Sequence, residues 1–343
     1  MVLADNVSMN AKFPPSATAL LQDRFGRRIS YLRVSVSDRC DLRCSYCMPK
    51  HFKDFAEPAE WLSFSEIQRV VAAFAALGVS RVRLTGGEPL LRRNLVELAA
   101  SIHAIPGICD LSISTNATQL AKHAFALRQA GVARLNVSLD SLDRACMQSI
   151  TGRDSLASVL DGLKQARAAG FQPIKLNMVV QKGVNEHEVL AMTEFCIQQG
   201  FILRLIEAMP MGSTGQNTAY LPLQALRQLI IERFGLQAIA TEIGGGPARY
   251  WRSADGQATV GFIDPISQHF CATCNRVRLT VDGTLYLCLG QEHSVALRPL
   301  LRAGVSDAEL QQVIIDAIEL KPEKHEFTSK PRQIMRFMSQ TGG

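Results

Sequence analysis

From residue 30 to about 206 the chain alternates short β-prone runs with helical ones, and this alternation limits its fold more than any other feature. The strand candidates are YLRVSVS (31–37), SRVRLT (80–85), DLSIST (110–115), RLNVSLD (134–140), IKLNMVV (174–180) and ILRLIEA (202–208). Most are separated by one amphipathic helix. Ser63 and Glu66 have capping-box spacing at the start of the first helix, and Gly78 suits its C-terminal stop. Leu156, Val159, Leu160, Leu163 and Ala166 give another helix an apolar face, and Asn185 is placed to cap a helix beginning at Glu186. Repeated βα units predict an α/β protein with a parallel sheet and helices outside it. Six units are too few to complete an eight-stranded barrel, and periodicity does not separate a partial barrel from an open doubly wound sheet. In either case ligands collect at the C-terminal ends of the strands.

The pattern breaks at MPMGSTGQNTAY (209–220). Beyond it the sequence predicts a helix over about 222–233, a glycine run at Gly244–Gly246 and short strands near Tyr250 and Gly261. RVRLTVDGTLYLCL (276–289) reads as a hairpin turning at Asp282–Gly283, with Cys288 on its second strand; two helices and a polar tail follow.

The N-terminal segment carries acids and prolines without an apolar centre, so it does not read as a signal peptide. No run approaches the about 18 apolar residues of a membrane span. A cytoplasmic protein is expected, and its nine cysteines then point to metal, catalysis or core burial instead of disulfides. The net charge of +6 is modest and dispersed, so neither nucleic acid nor membrane is indicated as a partner. Cys196 falls on the apolar stripe of a helix with Val189 and Met192 and is expected in the core.

Two groups of three cysteines remain. Cys40, Cys44 and Cys47 lie on the loop after the first strand, in SDRCDLRCSYCMP (37–49). Three thiolates hold three irons of a cubane and leave the fourth open, whereas structural zinc would take a fourth protein ligand. C-x3-C-x2-C with an aromatic before the last cysteine resembles the pattern of the radical S-adenosylmethionine enzymes. The resemblance implies a [4Fe–4S] cluster whose open iron is chelated by S-adenosylmethionine, with Tyr46 near the adenine. TGGEP (85–89) resembles the superfamily's GGE motif, which implies that Gly87 contacts the methionine amino group, with Glu88 next to it. Ser138 or Asp140 at the end of the fourth strand would meet the ribose, and Met209 would lie against adenine. Of the two sheet architectures, the resemblance implies a partial (β/α)6 TIM-like barrel with a C-terminal extension.

The second group is Cys271, Cys274 and Cys288, again without an evident fourth ligand; zinc completed by His269 is the alternative. CNRVRLTVDGTLYLC (274–288) resembles the C-terminal signature of the GTP 3',8-cyclase family, which opens molybdenum cofactor biosynthesis. The likeness runs from FGR (25–27) to Gly342–Gly343. It implies an N-terminal segment (1–24, partly disordered), a radical-generating partial barrel (25–210) and a region (211–343) whose second [4Fe–4S] cluster holds the purine of GTP. It also implies the reaction: a 5'-deoxyadenosyl radical takes the C3' hydrogen of GTP, and the resulting carbon radical closes onto C8. The partners implied are GTP, an electron donor such as flavodoxin or ferredoxin, and a downstream pyranopterin monophosphate synthase; the assembly expected is a homodimer.

A triphosphate needs fixed cations or Mg²⁺, and arginine suits it through its planar fork. Arg33, Arg83, Lys175 and Arg204 each alternate with apolar residues inside a strand candidate, and Arg276 and Arg278 do so on the hairpin. The resemblance places Arg33, Arg83, Ser114, Lys175 and the Arg276–Val277–Arg278 segment around GTP. It assigns Arg276 or Arg278 to the radical formed on ring closure, and the tail glycines Gly342 and Gly343 to the pocket. The chain has Asp41 where the family often has Asn, Ser114 where Thr is common, and Ala117 where glycine is frequent. Two rivals are carried: a radical enzyme whose auxiliary cluster binds a peptide, and a zinc-stabilised nucleic-acid-binding module.

Overall fold

A computed structural model describes residues 20–49, 58–240 and 243–342 of the chain. The expectations for residues 1–19 and for Gly343 lie outside the described residues. Strands β1 (Tyr31–Ser35), β2 (Arg81–Thr85), β3 (Asp110–Thr115), β4 (Arg134–Ser138), β5 (Ile174–Val180) and β6 (Ile202–Glu207) match the six expected runs. Each pairs parallel with the next. Between them lie helices α1 (Phe64–Ala76), α2 (Leu95–His103), α3 (Leu120–Gln129), α4 (Arg144–Thr151), α5 (Leu156–Ala168) and α6 (Val189–Gln199).

Helix α1 shows why the local reading works. Ser63 accepts from the Glu66 N–H while the Glu66 side chain accepts from the Ser63 N–H, and Gly78 follows with φ +88°. Its buried face is Ile67, Val70, Val71 and Phe74, each worth about 1.5–3 kcal/mol in removal from water. Cys196 is buried on α6 as expected. Asn185 precedes a single helical turn at Glu186–Glu188, as expected, but its side chain does not cap that turn. It is fully buried, its amide donating to the carbonyls of Asp140 and Val179 and its oxygen accepting from the Gln181 N–H. A buried loop backbone needed those bonds more than the helix end did.

The C-terminal strands complete the sheet at both edges. Strands β7 (Leu236–Ile239), β8 (Arg249–Ser253) and β9 (Thr259–Ile263) form an antiparallel ribbon, and β10 (Arg276–Leu279), β11 (Thr284–Tyr286) and β12 (Ser294–Ala296) form another. Strand β9 pairs parallel with β6, and β10 pairs parallel with β1. Eight parallel strands therefore run in the order β10-β1-β2-β3-β4-β5-β6-β9. Residues 264–275, which hold Cys271 and Cys274, cross from one edge to the other. Cys288 lies just past β11 and not on it, since pairing with β12 ends at Tyr286.

Alternation assigns the two faces. Leu32, Val34, Val82, Leu84, Leu203 and Leu205 point outward into one continuous core with the helices. The other face carries Arg33, Arg83, Ser112, Ser114, Asn136, Lys175, Asn177 and Arg204. Residues of β1, β2, β5, β6, β9 and β10 line one common cavity, so the sheet curls round it. Its interior is polar where a closed barrel of this kind would be packed with aliphatic side chains.

Candidate active site

The cations follow from strand register. Arg33 sits between Arg278 on β10 and Arg83 on β2, and all three are buried. The Nε of Arg33 has no hydrogen-bond partner among the described residues. Burial, then the neighbouring Arg278 and Arg83, pushes its pKa well down. A guanidinium nonetheless keeps its proton in proteins, so the direction reflects how badly this cage tolerates positive charge without an anion. Burial likewise lowers Arg278 to about 9 and Arg204 to about 10. Arg204 donates to Asn177 Oδ1 (2.8 Å) and Asn136 Oδ1 (2.5 Å), amides that orient the guanidinium without neutralising it. Lys175 is almost fully buried and donates to the Ile243 carbonyl. Burial first, then Arg204, Arg134 and Arg83, pulls its pKa to about 6. Ser114, on the same face, has a buried hydroxyl without a hydrogen-bond partner among the described residues.

Arg33, Arg83, Arg204, Arg276 and Arg278 line the cavity, which measures about 940 Å³ including its open mouth. Lys175 and Ser114 share its face without being among its lining residues. Val277 points the other way, its side chain buried in the helix-facing core, so only its backbone is available to a ligand. Sequence reasoning missed Arg81 and Arg134. They stand two positions before Arg83 and Asn136 on the same face and share Asp110, which bonds Arg134 closely and lies 3.9 Å from Arg81. The same alternation that marked Arg83 could have found both. Lys321, also missed, donates to the Arg276 and Leu287 carbonyls from a helical end far along the chain.

The first cysteine set is pinned by TGGEP. Gly87 N–H donates to the Ser37 carbonyl (2.7 Å) and Glu88 N–H to the Arg39 carbonyl (2.6 Å). A Cβ on Gly87 would lie 2.2 Å from the Arg39 oxygen, and one on Gly86 2.1 Å from the Ser37 oxygen. Both glycines are therefore required for this close approach. The Gly87 N–H is spent on this contact. Glu88 is wholly buried and binds Thr115 Oγ1 and the N–H groups of Leu90 and Asn116. It ties the strand ends together. Asp41 accepts from Asn116 Nδ2 and Thr118 Oγ1, fastening the cysteine loop to the turn after β3. Ala117 in that turn has φ +62°, the conformation that favours glycine. Tyr46 donates to Asp140 (2.7 Å), which also accepts from the Val179 N–H; Asp143 is the residue that caps α4. Ser138 is half-buried at the end of β4, and Met209 lines the cavity beside Met211 and Phe327.

The two thiol environments differ. Burial pushes all three first-set thiols up, Cys47 to about 12, and Asp140 or Glu88 adds to this. For Cys274 burial opposes ionisation, but Arg276 and Lys321 outweigh it and draw the thiol down to about 6. Cys271, Cys274 and Cys288 all face the cavity. The imidazoles of His269 and His325 lie beside Cys271, 3.2 Å apart, and together these three could hold a metal ion. The C-terminal tail joins the two sets. The Ser339 backbone bonds Cys47, while Arg278 donates to the carbonyls of Thr341 and Gly342. Gly342 has φ +69°, and a Cβ there would lie 2.2 Å from Thr85 Cγ2.

With this geometry in hand, the Radical SAM superfamily model matches residues 34–196 and the Molybdenum Cofactor Synthesis C model residues 201–327. A protein of Ectopseudomonas mendocina named GTP 3',8-cyclase is 48% identical over 95% of this chain and 99% of its own length. The chain belongs to the GTP 3',8-cyclase family. A member from Marinobacter nauticus is 48% identical over 94% of this chain and 98% of its own. Among solved structures, Streptococcus suis SuiB bound to S-adenosylmethionine aligns with a TM-score of 0.59 at 16% identity, covering 83% of this chain and 67% of that one. That likeness concerns the fold alone. The GTP 3',8-cyclase family works with S-adenosylmethionine and iron–sulfur clusters, and both cysteine sets fit this. Each offers thiol sulfur in place of mixed oxygen donors, and the first-set thiols lie close enough to raise one another's pKa.

Proposed function

We propose that this chain cyclises GTP to 3',8-cyclo-7,8-dihydro-GTP, the first step of molybdenum cofactor biosynthesis, in the cytoplasm. The observation that carries the reading is the row of buried cations, without an ion-paired carboxylate among the described residues, converging with Cys271, Cys274 and Cys288 on one cavity. A nucleoside triphosphate brings about four negative charges, which fixed guanidinium forks hold without reorganising. When bound, S-adenosylmethionine and a reduced cluster on Cys40, Cys44 and Cys47 supply the carbon radical that starts the reaction.

The protein's part is alignment. Arg33, Arg83, Lys175 and Arg204 grip the phosphates, aided by Ser114 and, when present, Mg²⁺. Cys271, Cys274 and Cys288 present the second cluster to the purine, and the Val277 backbone borders it. Arg276 and Arg278 face the closing ring. Tyr46, Gly87, Ser138 and Met209 hold the cosubstrate. Gly342 and Gly343 close the mouth and keep water out. In this division residues 25–210 generate the radical and residues 211–343 hold the substrate, with 1–24 as a leading segment. Flavodoxin or ferredoxin would reduce the protein, pyranopterin monophosphate synthase would consume its product, and two copies would pair.

The test is anaerobic metal analysis followed by product analysis with GTP against ATP. About eight irons per chain and selective cyclisation of GTP are expected. Two zincs and no iron, or equal turnover of ATP, would refute the reading. No described helix is long and apolar enough to cross a membrane.

A further inference from the structure

The tail that ends in the lumen is held from behind by one side chain. Arg336, six positions before Gly342, is buried. Its Nη1 donates to the Gln291 carbonyl (3.0 Å) and to Glu292 Oε2 (2.7 Å). Its Nη2 donates to the Leu289 carbonyl (2.8 Å) and again to that of Gln291 (3.0 Å). The guanidinium carbon lies 3.8 Å from the centre of the Tyr286 ring. Every partner belongs to residues 286–292, the turn that presents Cys288.

On its other flank the tail is fastened to Met211 and Gly212, in the segment just beyond β6. The Gly212 N–H donates to the Ile334 carbonyl (3.1 Å), and the Phe337 ring fills the space where a Cβ on Gly212 would sit. Ile334 is buried with Met211 and Phe327. Residues 334–337 thus bridge the segment that follows β6 and the Cys288 turn. Only after this bridge does the chain reach Cys47 and Arg278.

We infer that Arg336 is a positioning residue that makes insertion of the tail conditional on the folded Cys288 turn. The Leu289 and Gln291 carbonyls converge on one guanidinium only while the turn is closed. The bond from the Leu287 N–H to the His293 carbonyl (3.1 Å) holds its base, and thiol ligation at Cys288 would fix the remainder. An opened turn would leave Arg336 a buried charge short of its partners, so tail and turn release together. The half-exposed Glu292 carboxylate is a minor contributor beside the carbonyls. The inference rests on the proposed function only in giving the inserted tail a task.

The test is hydrogen–deuterium exchange of tail amides 333–342 in the full chain, without GTP. Iron-loaded wild type, chelator-stripped wild type, Arg336→Ala, Arg336→Lys and Glu292→Gln are compared, with iron content measured on each. Tail exchange should be slow in loaded wild type and in Glu292→Gln. It should be faster by about tenfold or more in stripped wild type and in Arg336→Ala, the loss of several charge-assisted bonds. Arg336→Lys, with charge but no fork, should fall between. Iron should stay at the wild-type level in both Arg336 variants while S-adenosylmethionine cleavage outlasts GTP cyclisation. A tail as protected in Arg336→Ala as in wild type, or protected in stripped wild type, overturns the inference. Should Arg336→Ala lose iron, Arg336→Lys decides: full iron with wild-type protection also overturns it. Failure of wild type to cyclise GTP would sink the functional proposal while leaving the exchange result standing.

Discussion

Lys175 combines deep burial with the lack of an ion-paired carboxylate among the described residues, and replacing it by methionine should separate stability from binding. Its ordinary pKa is 10.5 and the folded value is about 6. Near pH 7.5 the unfolded chain therefore carries this proton and the folded chain does not. Three pH units at 1.36 kcal/mol each make the folded state about 4 kcal/mol less stable than it would be with an unperturbed lysine. The bond from Nζ to the Ile243 carbonyl returns about 1 kcal/mol. Lys175→Met should thus stabilise the ligand-free protein by about 3 kcal/mol. Because the unfolded state binds the extra proton between about pH 6 and 10.5, wild-type stability should rise with pH across that window, a rise the variant lacks. Binding a triphosphate should restore the charge, so wild type should take up close to one proton per GTP and bind about tenfold more weakly per pH unit of increase. The variant should take up almost none. Protonating Lys175 at pH 7.5 costs wild type about 2 kcal/mol of the about 1.5–3 kcal/mol a charged contact contributes, so the variant should bind at most about fivefold more weakly there and about 10- to 150-fold more weakly below pH 6. Anaerobic urea denaturation and titration calorimetry in two buffers of different ionisation enthalpy measure both. A destabilised variant, or wild-type binding without proton uptake, refutes the reasoning.

Other outcomes follow from single contacts. Gly342→Ala places a methyl in Thr85 and strains a positive φ, so GTP product should fall at least about tenfold with iron content intact, as read by anaerobic turnover. Cys274→Ala should cripple cyclisation of GTP yet spare some cleavage of S-adenosylmethionine, whereas Cys44→Ala should abolish both; chromatography of 5'-deoxyadenosine separates them. Ala117→Gly should leave stability unchanged or raise it by up to about 1 kcal/mol in thermal melts, since relief of the left-handed strain offsets the added chain entropy. Tyr46→Phe removes the bond to Asp140, whose pKa burial holds near 6. It should cost about 1.5–3 kcal/mol above that pH and less below it, where Asp140 is neutral.

The six parallel strands, the capping box at Ser63 and the buried face of α1 were legible because each depends on residues two to four apart. Both cysteine sets were legible for the same reason, their ligands being close in the chain apart from Cys288. Within the strands, alternation placed Arg33, Arg83, Lys175 and Arg204 on one face, although Arg81 and Arg134 at the strand starts went unnoticed. What tertiary structure alone decided lies in contacts between distant segments. The parallel pairing of β9 on β6 and of β10 on β1 adds two strands to the six foreseen, and no local period encodes which edge a late strand will choose. Asp110 neutralises one end of the cation row while Arg33 has no ion-paired carboxylate among the described residues, a distinction made by register. Asn185 went to loop carbonyls instead of a helix end because burial left those groups no water. Arg336 likewise acquires its role only when residues 286–292 fold against it. Sequence patterns settle which face of an element is apolar; which elements meet is settled by the hydrogen bonds and burial that closing the molecule demands.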